Sequence, residues 1–100
     1  MSHRVVLTPE ARADVLEAAT WYRERSPAAV DAFLLAIRAS LTRLADEATA
    51  HPVLDSGTGV RRALLKRFPH RVLYLIDGDR VVVFAVMHRA RHDPAWRQCL

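Results

Sequence analysis

An apolar stripe at helical spacing through residues 30–48 is the feature that most constrains the fold of this chain. The stripe consists of Val30, Phe33, Leu34, Ile37, Leu41, Leu44 and Ala48. Residues three and four apart lie on one face of a helix, so the pattern predicts a helix of about five turns. Ser26 and Pro27 supply an N-cap and a first-turn proline. So long an apolar face requires a second layer to cover it.

A shorter helix is predicted immediately before this one. Thr8 is the expected N-cap, Pro9 occupies the first turn, and Ala11 opens an apolar face that reaches Tyr22. The connection to the next helix is very short, so the two helices are expected to form an antiparallel hairpin. The β-branched run Arg4–Thr8 predicts a strand ahead of them.

The spacing of apolar residues changes from helical to strand-like after a predicted loop from His51 to Gly59. Strands are expected over Val60–Phe68, Arg71–Ile76 and Val81–Met87, and Asp77-Gly78-Asp79 joins the last two. The third run is apolar throughout, which predicts a strand covered on both faces. The order β-α-α-β-β-β indicates a single α+β domain over residues 1–100, with the helical hairpin on one face of a small, mainly antiparallel sheet.

Composition and charge narrow the possible partners. The chain of 100 residues carries 15 Lys plus Arg against 11 Asp plus Glu, a formal net charge of +4. The positive charge is concentrated in the second half, which favours an acidic or polyanionic partner there. The lone Cys99 excludes an internal disulfide, and no signal peptide or membrane-length apolar stretch is evident. We therefore expect a cytoplasmic protein with no membrane partner.

The familiar catalytic templates are missing from the sequence. It has no glycine-rich phosphate loop and no Ser/His/Asp arrangement that spacing would suggest. His88 and His92 are four residues apart but follow a strand end, and two solvated histidines explain them better than a metal site. We therefore predict no metal and no cofactor.

Basic residues give a more specific signal than these templates. In an antiparallel meander, the end of the first strand, the start of the second and the end of the third meet at one edge. A basic patch is therefore predicted there, formed by Lys66, Arg67, Arg71, Arg89 and Arg91, with His70, His88 and Trp96 nearby. Guanidinium groups beside an aromatic ring can bind a nucleic-acid backbone with stacked bases or an acidic protein partner. The alternative is that these residues form a solvated sheet face and a charged tail without a partner.

The first meander strand also has an unusual distribution of side chains. Arg62, Leu64 and Lys66 point to one side of it, and Arg61, Ala63, Leu65 and Arg67 point to the other. Neither side is purely apolar, so this strand is expected at or near an exposed face or edge, where a partner could bind.

The ordered set of motifs resembles toxins of the RelE/ParE family. The resemblance rests on Val60-Arg61-Arg62, on Phe68-Pro69-His70-Arg71-Val72-Leu73-Tyr74, on Val81–Met87, and on His88-Arg89-Ala90-Arg91 followed by Asp93-Pro94 and Trp96. The helical hairpin extends it over essentially the whole chain. The resemblance implies a toxin that a cognate antitoxin holds inactive in a hetero-oligomer.

Two mechanisms exist in the family that the chain resembles. RelE-like members cut mRNA in the ribosomal A site, whereas ParE-like members poison DNA gyrase and lack the nuclease site. By the resemblance, Arg71 and Arg89 match arginines of the RelE-like site, and Lys66 or Arg62 could replace its lysines. RelE-like nucleases commonly carry a Tyr in the tail, near the attacking hydroxyl, and His88 or His92 could serve as the base in its place.

The C-terminal tail departs from the RelE-like pattern. It contains Trp96 and no Tyr or Glu, and an indole N–H cannot exchange a proton at neutral pH. The departure favours the ParE-like mechanism, with ribosome-dependent cleavage as the alternative. A basic binding module that is inert as a toxin is the third hypothesis.

Overall fold

The computed structural model of the protein describes residues 2–89. The elements in chain order are β1 (Arg4–Leu7), α1 (Pro9–Arg23), α2 (Pro27–Glu47), a 3-10 turn (Ala48–Ala50), β2 (Val53–Asp55), β3 (Val60–Leu64), β4 (His70–Asp77) and β5 (Arg80–His88). The strands form one sheet in the order β1-β5-β4-β3-β2. β1 runs parallel to β5 and every other pair is antiparallel, which confirms the predicted α+β fold.

Both helices begin where the sequence predicts. Thr8 Oγ1 accepts a hydrogen bond from the Ala11 N–H at 3.1 Å, and Ser26 Oγ accepts one from the Ala29 N–H at 3.4 Å. Each cap satisfies a backbone donor that has no partner within the helix. The prolines that follow fit because the first turn needs no backbone donor. None of the helices within residues 2–89 is long and apolar enough to cross a membrane.

The main core lies between the helical hairpin and one face of the sheet. Phe33 and Leu44 of α2 and Ala11 of α1 are fully buried against Val72, Val81 and Val83 of the sheet. A smaller buried cluster occupies the opposite face and includes Leu73, Phe84 and Met87. Residues of β5 are thus buried on both faces, as its continuous apolar sequence predicts.

The predicted loop from His51 to Gly59 was wrong in one respect, because it contains β2. Val53 pairs with Arg61 and Asp55 with Val60, with an irregularity between them. Three residues after a proline carry no readable alternation, so only pairing with β3 makes this segment a strand. β3 is consequently second from the edge of the sheet, in agreement with the expectation that it lies at or near an edge.

The strand predicted over Val60–Phe68 ends four residues early, at Leu64. Arg67 has a positive φ of 71°, a left-handed conformation that lies outside the extended region of regular strands. The turn that results lets Phe68 pack its ring 5.5 Å from that of Phe33 in the helix layer. Tertiary packing of one aromatic ring therefore overrides the local strand preference.

Candidate functional site

The predicted convergence of basic residues occurs at one end of the sheet. Leu64 pairs with Arg71 across β3 and β4, and His70 pairs with His88 across β4 and β5. The Arg89 N–H donates to the Pro69 carbonyl at 2.7 Å, which ties the end of β5 to the β3–β4 turn. We call this region the basic end; its described cationic residues are Lys66, Arg67, Arg71 and Arg89. The predicted Arg91 and Trp96 lie outside the described residues.

The sheet separates two of the proposed nuclease residues. Arg71 lies opposite Met87 in register, and Met87 belongs to the cluster on the face away from the helices. His88 pairs with His70, whose ring packs against Phe33 of α2 on the helix face. Because successive strand residues point to opposite faces, Arg71 and His88 do not face one another. Arg62 pairs with Leu73 and therefore shares the face of Arg71.

Arg61 has a structural role at the other end of β3. Its guanidinium donates to the His51 carbonyl at 2.7 Å and to the Thr49 carbonyl at 3.2 Å. These carbonyls follow the C-terminal end of α2, where a positive charge is favoured. The neighbouring Arg62 makes no side-chain hydrogen bond to a carbonyl within residues 2–89, so the two adjacent arginines have different roles.

His70 is buried in an aromatic cluster of the helix face. Its ring lies 5.2 Å from Phe33, 6.1 Å from Tyr22 and 5.4 Å from His88, between ring centroids. Burial lowers the pKa of His70 below its ordinary value, and the nearby His88 lowers it further. Both effects disfavour the charged imidazole, so the folded protein favours the neutral form of His70.

A pocket of about 700 Å³ opens between α1 and the basic end of β4 and β5. We call it the acidic pocket; its polar and aromatic lining consists of Asp14, Glu17, Thr20, Trp21, Tyr22, Glu24, His70 and His88. Residues 14, 17 and 21 of α1 and its C-cap residue 24 recur at helical spacing and so lie on one face. The helical spacing of these residues is evident from the sequence. The sequence does not show that β5 lies beside the acidic residues of α1, so by itself the spacing indicates only a solvent-exposed helix face.

A second groove, of about 530 Å³, lies between the edge strand β1 and α2. We call it the β1 groove; it is lined by His3, Val5, Leu34, Ile37, Arg38, Leu41, Thr42 and Ala45. Leu34 is 40% exposed, although it belongs to the apolar stripe of α2. The groove has no carboxylate in its described lining. It thus combines an apolar floor, positive charge and a strand edge.

Within residues 2–89 no group of three or more His, Cys, Asp or Glu side chains is placed to hold a metal ion. His92, the second member of the spacing noted in the sequence, lies outside the described residues. The prediction that no metal or cofactor is needed stays a prediction.

Comparison with protein families identifies the class of protein. The family model described as "ParE toxin of type II toxin-antitoxin system, parDE" matches residues 5–93. The chain belongs to the ParE toxin family. This match spans both helices, strands β2 to β5 and all of β1 except Arg4, and it confirms the resemblance to RelE/ParE toxins. No curated protein sequence matches the chain.

Solved structures show the same ParE-family fold. The chromosomal ParDE toxin–antitoxin system from P. aeruginosa includes a chain 18% identical to this one, with a TM-score of 0.77, over 87% of this chain and 96% of that one. The toxin–antitoxin complex RelBE2 from Mycobacterium tuberculosis includes one 26% identical, with a TM-score of 0.62, over 89% of this chain and 100% of that one. The fold is therefore shared by proteins from both ParDE and RelBE systems.

Proposed function

We propose that this protein is a toxin that inhibits growth by poisoning DNA gyrase and that a cognate antitoxin neutralises it. The match to the ParE family over residues 5–93 carries the proposal, since ParE-like members of the wider family act on gyrase. The sheet geometry supports it, because Arg71 and His88 point to opposite faces and do not share one nuclease site.

The gyrase proposal is tested with purified protein and purified gyrase. We expect the toxin to inhibit supercoiling and to accumulate cleaved DNA–gyrase complexes. The same protein should leave translated mRNA uncut in a ribosome assay that maps cleavage by primer extension. If expression of the protein arrests cell growth but the purified protein neither changes supercoiling nor accumulates cleaved complexes, gyrase is not the target.

The β1 groove is the surface that best fits the antitoxin. β1 is an edge strand, and an edge has backbone groups free to pair with an added strand. Leu34 and Val5 supply apolar surface beside that edge, and His3 and Arg38 border it with donors. An extended antitoxin segment with alternating apolar and acidic residues would satisfy all three features. We therefore assign the antitoxin to this groove.

Ribosome-dependent mRNA cleavage is the second candidate function. Arg62 and Arg71 share the sheet face opposite the helices, and Lys66 and Arg67 lie in the turn beside them. This arrangement would suit a phosphate backbone. Arg80 lies at the end of β5 away from the basic end and supplies the control. Cleavage of mRNA at the A site that is lost in Arg71→Ala but retained in Arg80→Ala would favour ribosome-dependent cleavage over gyrase poisoning.

A further inference from the structure

The acidic pocket has a charge that the rest of this basic protein does not share. Asp14, Glu17 and Glu24 line it, and no Lys or Arg does so among the described residues. Asp14 Oδ2 already accepts a hydrogen bond from the Val86 N–H at 2.9 Å, whereas Glu17 and Glu24 are exposed. Like charges on one helix face repel each other, so a cation bound among them would be stabilised.

Glu24 is placed unfavourably in the absence of such a cation. It is the C-cap residue of α1, where the helix dipole concentrates negative charge. A carboxylate there costs stability, whereas the preceding Arg23 is well placed. A positive group in the pocket would offset both the dipole and the repulsion from Glu17.

His70 provides an independent indication of a ligand. Its side chain lines the pocket and is only 8% exposed, and Nδ1 has no hydrogen-bond partner in the part of the chain that the structure describes. A buried polar atom without a partner is costly. A neutral imidazole can accept a hydrogen bond from an N–H donor without adding positive charge.

The aromatic residues of the pocket favour a flat cation. Trp21 is 50% exposed, and the Arg25 guanidinium already lies 3.5 Å from the centroid of its ring. Tyr22 packs edge-on against Trp21 with a centroid separation of 5.0 Å. Guanidinium groups stack on such rings and donate to carboxylates with two parallel hydrogen bonds, which a compact ammonium cannot do.

We propose that the acidic pocket binds the guanidinium group of an arginine side chain presented by a partner protein. Glu17 and Glu24 bind the charge, His70 accepts a hydrogen bond, and Trp21 limits the orientation of the plane. The pocket lies on α1, away from the β1 groove between β1 and α2, so this contact is additional to the antitoxin contact proposed there.

The full-length protein is titrated with N-acetyl-arginine amide, which carries a guanidinium as its only charge. We expect saturable NMR shifts of the Trp21 indole and the His70 ring. N-acetyl-citrulline amide has the same shape without the charge and should leave both signals unchanged. Equal shifts with the two compounds, or no saturable shift at millimolar concentrations, would overturn the proposal.

Substitutions locate the site. The double variant Glu17→Gln/Glu24→Gln should bind N-acetyl-arginine amide about tenfold more weakly, because two charge-assisted contacts are lost. Glu10→Gln, on the same helix but outside the pocket, should bind as the wild type does. Equal affinity in the double variant and the wild type, with both proteins folded, would contradict the assignment.

The source of the guanidinium is tested separately. Free arginine carries an α-ammonium and an α-carboxylate that an arginine within a peptide chain lacks, so a site that recognises only the side chain should bind it no more tightly than the acetylated amide. Tighter binding of free arginine would indicate a small-molecule site and overturn the partner assignment. The double variant R91Q/R97Q tests whether the chain's own Arg91 and Arg97 affect the titration, and it should bind N-acetyl-arginine amide as the wild type does. All of these readouts are independent of toxicity and of gyrase.

Discussion

Single buried polar groups hold the two layers of the protein together. The Tyr74 hydroxyl donates to the Ala48 carbonyl at 2.7 Å, and the side chain is fully buried. Burial raises the pKa of Tyr74 to about 12, despite the opposing effect of Arg61. The hydroxyl thus remains a donor at any physiological pH, and it satisfies a carbonyl where α2 gives way to the 3-10 turn.

Tyr74→Phe should lower the free energy of unfolding by about 1–2 kcal/mol, because the Ala48 carbonyl would be left buried without its donor. Urea unfolding followed by circular dichroism measures the change. Tyr22→Phe is the matched control, since Tyr22 packs on Phe33 and Phe68 through its ring and its hydroxyl makes no hydrogen bond within residues 2–89. An equal loss in both variants would show that the Tyr74–Ala48 bond is not the cause.

His70 makes stability depend on pH. Burial and His88 hold the pKa of His70 below its ordinary 6.5, so the unfolded chain takes up a proton at a higher pH than the folded protein does. The stability that the neutral, buried His70 ring contributes is fully present above pH 6.5 and is lost as the pH falls below 6.5. The urea concentration at the unfolding midpoint of the wild type should therefore decrease when the pH is lowered from 7.5 to 5.5.

His70→Phe is the control for this pH dependence. The ring at position 70 is surrounded by Tyr22, Phe33 and His88, so phenylalanine suits the site and cannot bind a proton. The variant should lose less stability than the wild type over the same pH interval. Parallel pH profiles for the two proteins would assign the effect to other groups.

At the scale of elements, helix starts were predictable and short strands were not. Thr8 and Ser26 are followed by prolines, and this combination fixes a helix start locally, since a cap and its helix are neighbours in sequence. β2 has three residues, and its identity depends on hydrogen bonds to β3, which follows it after a turn. The end of β3 is followed by the positive φ of Arg67 and by Phe68, whose ring packs against Phe33 in the core.

Thr8→Ala should destabilise the protein by about 1 kcal/mol through loss of the α1 cap. The Thr8 hydroxyl accepts from the Ala11 N–H, whereas the Thr42 hydroxyl on α2 only donates to the Arg38 carbonyl in exposed helix. Thr42→Ala should therefore change the urea midpoint little. A cost for Thr42→Ala as large as that for Thr8→Ala would contradict the capping role.

At the scale of the whole molecule, the fold distributes charge among three surfaces. The basic end, the acidic pocket and the β1 groove lie at different places around one sheet and its helical hairpin. The basic end and the acidic pocket adjoin each other, because Pro69 and His88 border both.

Leu34→Glu should weaken antitoxin binding by at least about tenfold, because a carboxylate would replace apolar surface in the β1 groove. Calorimetry with the cognate antitoxin measures the change, and coexpressed antitoxin should no longer protect cells. Leu16→Glu is the matched control, since Leu16 is 68% exposed on α1 and does not line the groove. Unchanged affinity for Leu34→Glu would show that the antitoxin binds elsewhere.

The sequence by itself determined the fold class, both helix starts, the meander and the convergence of Lys66, Arg67, Arg71 and Arg89 at one end of the sheet. These features follow from periodicity, caps and turn residues, which act between neighbours in the chain. Only the tertiary structure decided that Arg71 and His88 face opposite sides, because the assignment depends on strand register. Tertiary structure also formed the acidic pocket, since β5 reaches α1 only after the sheet has assembled.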